Sequence, residues 1–219
     1  METETETGAS APGAAEGLTR GQRREEGLRW FADFIFQPFL WVFVHAHISP
    51  NLITILGMAL AIVSGYLLAT GYVPLAAVFF TLSGILDLVD GYVAKKMDMV
   101  SVFGSFLDSV SDRVSDAAIY TGLMVYYLKR AEGMYVGVAL AVFLVSFLIS
   151  YVRARAEALD VTCRAGLMSR PVRMLLLAAG LFFNGLSPWV LKVTLWILLV
   201  MLAETLVSRL VEVWRAMER

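Results

Sequence analysis

Residues 51–86 contain no charged side chain, and residues 117–128, 133–152, 174–191 and 193–203 are equally free of charge. A helix crosses the bilayer with about 20 apolar residues, so a run as long as 51–86 holds two spans. Gly71 and Pro74 divide it near its middle, where a membrane helix can turn. Extending this reading predicts helices near 50–70, 74–97, 101–128, 133–157, 170–184 and 188–210. The expected fold is all-α, a polytopic membrane protein with six transmembrane helices. Composition agrees: 58% of residues are hydrophobic, 17% are charged and the mean hydropathy is +0.70, whereas soluble domains average about 25% charged.

The formal net charge of -1 leaves no basic field to attract nucleic acid, so no nucleic-acid partner is expected. A single cysteine, Cys163, excludes an internal disulfide and a cysteine zinc site, and reads as a free cytoplasmic thiol. Residues 1–20 are acidic and poor in apolar side chains, which predicts a disordered tail rather than a signal peptide. Residues 21–48 begin charged and end aromatic with Pro38 between. They fit an amphipathic juxtamembrane helix lying in the interface better than a seventh span, with His45 and His47 as interfacial anchors. Residues 49–219 form the membrane domain. Arg20, Arg23, Arg24, Arg29, Lys95, Lys96, Arg164, Arg170, Arg209, Arg215 and Arg219 fall on one side of these spans, against Lys129, Arg130 and Lys192 on the other. The positive-inside rule then places both termini in the cytoplasm.

The second and third helices carry what membrane helices normally avoid. Asp87 and Asp90 are three residues apart, and Asp108 and Asp112 are four apart, so each pair shares a helix face. With a turn near Asp98, the four lie roughly 12–21 Å along their helices from that turn, in overlapping layers. Four such carboxylates repel one another unless a cation neutralises them. Oxygen-only donors suit Mg²⁺, with Mn²⁺ or Ca²⁺ as alternatives, and Mg²⁺ characteristically sits between carboxylates and substrate phosphates. Gly91 and Gly104 stand beside the acids, where a missing side chain serves either close helix packing or approach of a phosphate to the backbone. Pro50, Asn51 and Thr54 open the first helix, whose N-terminus can receive phosphate. Asp116 continues the row one turn beyond Asp112 and reads as a structural partner of Arg113.

The spacing Asp87-x2-Asp90-Gly91-x2-Ala94-Lys95-x8-Gly104-x3-Asp108-x3-Asp112 resembles the signature of the CDP-alcohol phosphotransferase family. The family usually has Arg where Lys95 stands, which keeps the charge and loses the bidentate fork. The resemblance implies a six-helix enzyme, usually a homodimer, that binds a CDP-linked lipid such as CDP-diacylglycerol or CDP-archaeol in a cytoplasm-facing cavity through two metal ions. It implies Asp87, Asp90 and Asp108 as metal ligands, and Asp112 as both general base and ligand of the second metal. Pro50, Asn51, Thr54, Gly91, Lys95, Ser101 and Gly104 would line the CDP-lipid site. Arg153 and Arg155, with Arg170 and Arg173, make a cationic group suited to a phosphorylated acceptor, although each alone could be an anchor of the positive-inside kind. The stretch from Asp108 to Asp116, with the segments around Arg153 and Arg170, is most similar to family members using inositol 1-phosphate. Glycerol 3-phosphate is the second acceptor. From another class of function, intramembrane aspartates also occur in cation or proton transporters, whose sites tend to lie at the midplane on broken helices.

Overall fold

The computed structural model describes residues 49–161, 166 and 168–218. The tail at 1–20, the interfacial helix expected at 21–48 and Cys163 lie outside the described residues. Six helices follow in order: α1 Pro50–Thr70, α2 Val73–Lys96, α3 Val102–Leu128, α4 Gly133–Glu157, α5 Arg170–Phe183 and α6 Pro188–Met217. The described residues contain no strand. Five helices match their expected bounds to within one residue, while α6 runs seven residues past the expected end at 210. Its last two turns carry Glu212 and Arg215 among apolar residues, a pattern that leaves the bilayer but still propagates as helix.

Helix boundaries follow local chemistry. Proline opens α1, α2, α5 and α6 within the first two positions, where its missing N–H costs nothing. Gly71 ends α1 at φ 94, a left-handed conformation that favours glycine, and its N–H donates to the Leu68 carbonyl at 2.9 Å. Asp98 makes the α2–α3 turn at φ 54, which a short polar side chain tolerates. The turn therefore falls at the residue expected.

The α1–α3 contact is the tightest in the bundle. A Cβ on Gly65 would strike the Ala118 carbonyl, and one on Gly122 would strike the backbone of Gly65. Membrane helices use such small residues to bring backbones together, since lipid provides little hydrophobic drive between them. Across α1 and α2, Ser64 donates to the Ala76 carbonyl and Ser83 to the Gly57 carbonyl, each at 2.7 Å. Leu177 and Leu181 of α5 and Leu191, Leu195, Leu198 and Leu202 of α6 are buried with Tyr120, Leu123 and Tyr127 of α3. Outside, Tyr66, Leu144, Phe147, Leu148, Leu175 and Val200 stand exposed. A surface this apolar fits lipid and would aggregate in water.

Four helices, α1, α2, α4 and α6, are long and apolar enough to cross a membrane. The third has length but carries Asp108, Asp112, Arg113 and Asp116 between its first turns and its middle. With 14 residues, α5 is about 21 Å long, shorter than the hydrocarbon core of about 30 Å. At the end of the bundle away from the aspartates, Lys192 pairs with Glu132 at 2.6 Å, and Arg130 lies 3.7 Å from the Tyr126 ring centroid.

Candidate active site

Folding back at Asp98 lays the acidic segments of α2 and α3 side by side. One carboxylate oxygen from each of Asp87, Asp108 and Asp112 falls within 4.8 Å of the others. Asp90 is turned differently. It is buried, accepts from the Thr54 hydroxyl at 2.5 Å and takes the Gly91 N–H on its other oxygen at 2.5 Å. The close α1–α2 packing is what brings Thr54 to it. A hydroxyl bond to a charged acceptor of this kind contributes about 1.5–3 kcal/mol, so Thr54 fixes one carboxylate while three remain grouped.

These acids form one wall of a cavity of about 400 Å³. Pro50, Asn51, Thr54, Gly91, Lys95, Ser101 and Gly104 all line it, with Asp87, Asp90, Asp108 and Asp112. A Cβ at Gly91 would meet nothing within 4 Å, so this glycine opens the cavity wall rather than serving helix contact. At Gly104 a Cβ would lie 3.0 Å from the Ser101 hydroxyl and 3.2 Å from the Asn51 amide oxygen, so that side is tightly closed. Ser101 has a second use: its hydroxyl accepts from the Gly104 N–H at 3.0 Å as the N-cap of α3. Ala94, Met99, Val100, Ser105, Arg170 and Pro171 complete the lining.

A second cavity, of about 490 Å³, lies on the other side of Asp108 and Asp112. Asp108, Asp112, Ser105, Arg170 and Pro171 border both spaces, so the carboxylates stand at the seam. Its cations are Arg113, Arg153, Arg170, Arg173 and Arg209. Arg155 is exposed and does not line it; two residues along α4 from Arg153, it points to another side of the helix. Arg113 and Arg209 were missed as site residues. Arg209 is read from sequence only as a positive-inside charge, because nothing local to α6 reveals that its guanidinium reaches the Ile149 carbonyl of α4, 3.1 Å away.

Charge pairing inside the cavities corrects one expectation. Asp116 pairs with Arg173 of α5 at 2.7 Å, not with Arg113. Arg113 instead bonds the Ser109 carbonyl of its own helix and lies 3.9 Å from Asp112. Arg173 is buried, and a buried guanidinium needs a full partner, which a solvent-facing neighbour one turn away would not have required. Arg170, the first residue of α5, places one nitrogen 2.5 Å from Asp87 and 2.9 Å from Asp112. The Asp112 contact is ionic without hydrogen-bond geometry, which leaves that buried oxygen without a hydrogen-bond donor. Arg153 pairs with Glu157 at 2.8 Å in the open.

The donor set consists of carboxylates alone, grouped closely and partly lacking hydrogen-bond donors. That fits a hard divalent cation. Such a centre inside a helical membrane bundle, flanked by one cavity with a lysine and another with arginines, defines a membrane enzyme that handles phosphates. The family description CDP-alcohol phosphatidyltransferase matches residues 47–207. The chain is 33% identical over 185 residues to a phosphatidylinositol phosphate synthase of Corynebacterium glutamicum, covering 82% of this chain and 84% of that protein. It is 30% identical over 180 residues to an archaetidylinositol phosphate synthase of Methanothermobacter thermautotrophicus, covering 78% and 86%. Among solved structures it is similar to Mycobacterium tuberculosis phosphatidylinositol phosphate synthase with CDP-DAG bound, at a TM-score of 0.75 and 28% identity, over 82% of this chain and 94% of that one. The same mycobacterial protein in complex with manganese and citrate gives a TM-score of 0.74. The chain belongs to the CDP-alcohol phosphatidyltransferase family.

Proposed function

We propose that this protein is a phospholipid synthase that transfers a phosphatidyl or archaetidyl group from a CDP-linked lipid to a hydroxyl of inositol 1-phosphate, releasing CMP. The observation that carries the reading is the pair of cavities meeting at Asp108, Asp112 and Arg170, one beside Lys95 and the α1 N-terminus, the other lined by arginines. Two phosphate-bearing substrates entering from opposite sides would meet at the carboxylates. Relatives named for inositol phosphate products favour that acceptor over glycerol 3-phosphate.

In this mechanism Asp87, Asp108 and Asp112, with Asp90, would hold two divalent metal ions, Mg²⁺ or Mn²⁺. When bound, the metal supplies positive charge to the pyrophosphate and to the departing CMP. Lys95 and the N-terminal turn of α1, with Asn51, hold the nucleotide side. Ser101 and Gly104 shape the wall against which it lies. Arg153, Arg170 and Arg173 hold the acceptor phosphate and aim its hydroxyl at the lipid-side phosphorus. Asp112, bordering both spaces, takes the hydroxyl proton as the new P–O bond forms and the bond to the CMP oxygen breaks. The fuller architecture is six spans with both termini and both cavities on the cytoplasmic side, α5 being a short span, assembled as a homodimer.

CMP release by purified protein in detergent, with Mg²⁺ and CDP-diacylglycerol, tests the proposal against inositol 1-phosphate, free inositol and glycerol 3-phosphate. Turnover with inositol 1-phosphate alone is the expected result. Turnover with glycerol 3-phosphate instead would overturn the acceptor. Chelation by EDTA should remove turnover and Mn²⁺ restore it, whereas undiminished turnover in EDTA would overturn the metal assignment. Arg153→Ala should raise KM for the acceptor about tenfold with KM for CDP-lipid little changed, since its ion-pair partner among the described residues is the exposed Glu157, a pair worth at most about 0.5 kcal/mol. Equal changes in both constants would count against Arg153 as an acceptor ligand.

A further inference from the structure

Arg170 occupies a place that two chemistries compete for. It is the first residue of α5, borders both cavities, and sets one nitrogen between Asp87 of α2 and Asp112 of α3. Those two carboxylates belong to the group whose oxygens lie within 4.8 Å of one another. A divalent cation drawing on both would stand about 2–2.5 Å from their oxygens, in the space that this nitrogen fills. Guanidinium and divalent cation cannot share it, by sterics and by like-charge repulsion. The Arg170 Nε, meanwhile, is buried and has no hydrogen-bond partner, so the side chain is not fully satisfied where it lies. The adjoining cavity offers somewhere to go, with Arg153, Arg173 and Arg209 on its wall and room for an anion among them.

We infer that Arg170 and the divalent cation exchange places: metal binding expels the guanidinium from Asp87 and Asp112 into the arginine-lined cavity, where it completes the site for the acceptor's phosphate. This rests on the metal and acceptor reading above and adds an order to it. Without metal, Arg170 neutralises the acids and is withheld from the acceptor. With metal, it is released to bind phosphate. The two sites are then positively coupled through one side chain, and the coupling is reciprocal by linkage.

The test needs no turnover. Mn²⁺ binding to the full-length protein in detergent is followed by electron paramagnetic resonance, with and without inorganic phosphate as the acceptor-site probe. In the wild type, phosphate should tighten Mn²⁺ binding several-fold. In Arg170→Gln, Mn²⁺ alone should bind on the order of tenfold tighter than in the wild type, and phosphate should no longer alter it. Arg170→Lys, which keeps a charge for the acids and supports folding, should fall between the two. Unchanged or weaker Mn²⁺ binding in Arg170→Gln would overturn the exchange. Phosphate coupling that persists in full in that variant would do the same, since it would mean that phosphate acts on the metal directly. Failure of the wild type to bind Mn²⁺ would instead overturn the metal reading and the exchange with it.

Discussion

Asp112→Asn is expected to lower CMP release on the order of 10³-fold or more, with the protein still folded and still binding CDP-lipid. Asparagine keeps the shape of the side chain but cannot accept the acceptor's proton and is a poorer ligand for a hard cation. The fold should survive because the contact of Asp112 to Arg170 is ionic only, and Arg170 keeps Asp87 as partner. The measurement is single-turnover CMP release beside a CDP-lipid binding isotherm. Near-normal turnover with intact binding would remove Asp112 as base and leave the proton to another group.

The second large effect is on stability. Gly122→Ala should destabilise the bundle by about 3 kcal/mol or more, because the added Cβ would run into the backbone of Gly65, which cannot move as a flexible side chain could. Relief requires α1 and α3 to separate. The same substitution at Gly137, where a Cβ meets nothing within 4 Å, should stabilise α4 by about 0.5–1 kcal/mol through backbone entropy. Thermal unfolding in detergent compares the two directly. Equal melting temperatures would show that the α1–α3 contact is looser than described.

The acidic site was legible because its information is local. Two pairs at helical spacing, a turn signal between them and apolar flanks suffice to bring carboxylates together, and Asp87, Asp108 and Asp112 converge as that reasoning expects. Asp90 shows where it stops. Its spacing from Asp87 is right for one face, yet its carboxylate turns to Thr54, a choice set by how closely α1 approaches. The length of α6 was underestimated for a related reason: the apolar pattern marks where lipid contact ends, while a helix continues as long as its backbone bonds propagate.

By itself, then, the sequence determined where six helices lie, which of their segments avoid charge, and that four aspartates sit near one turn, since helix period and hydrophobicity act within a few residues. Only the tertiary structure decided that Asp116 pairs with Arg173, that Arg170 bridges Asp87 and Asp112, that Arg209 enters the second cavity while Arg155 stays outside it, and that the carboxylates stand at the seam of two cavities. Those partners are 57 and 83 residues apart for Arg173 with Asp116 and Arg170 with Asp87. Each depends on the rotation of one helix about its axis relative to its neighbours, and that rotation is set by close packing between helices, as where Gly84 of α2 meets Met174 of α5 and Gly180 of α5 meets Thr194 of α6, not by the spacing of charges along any one segment.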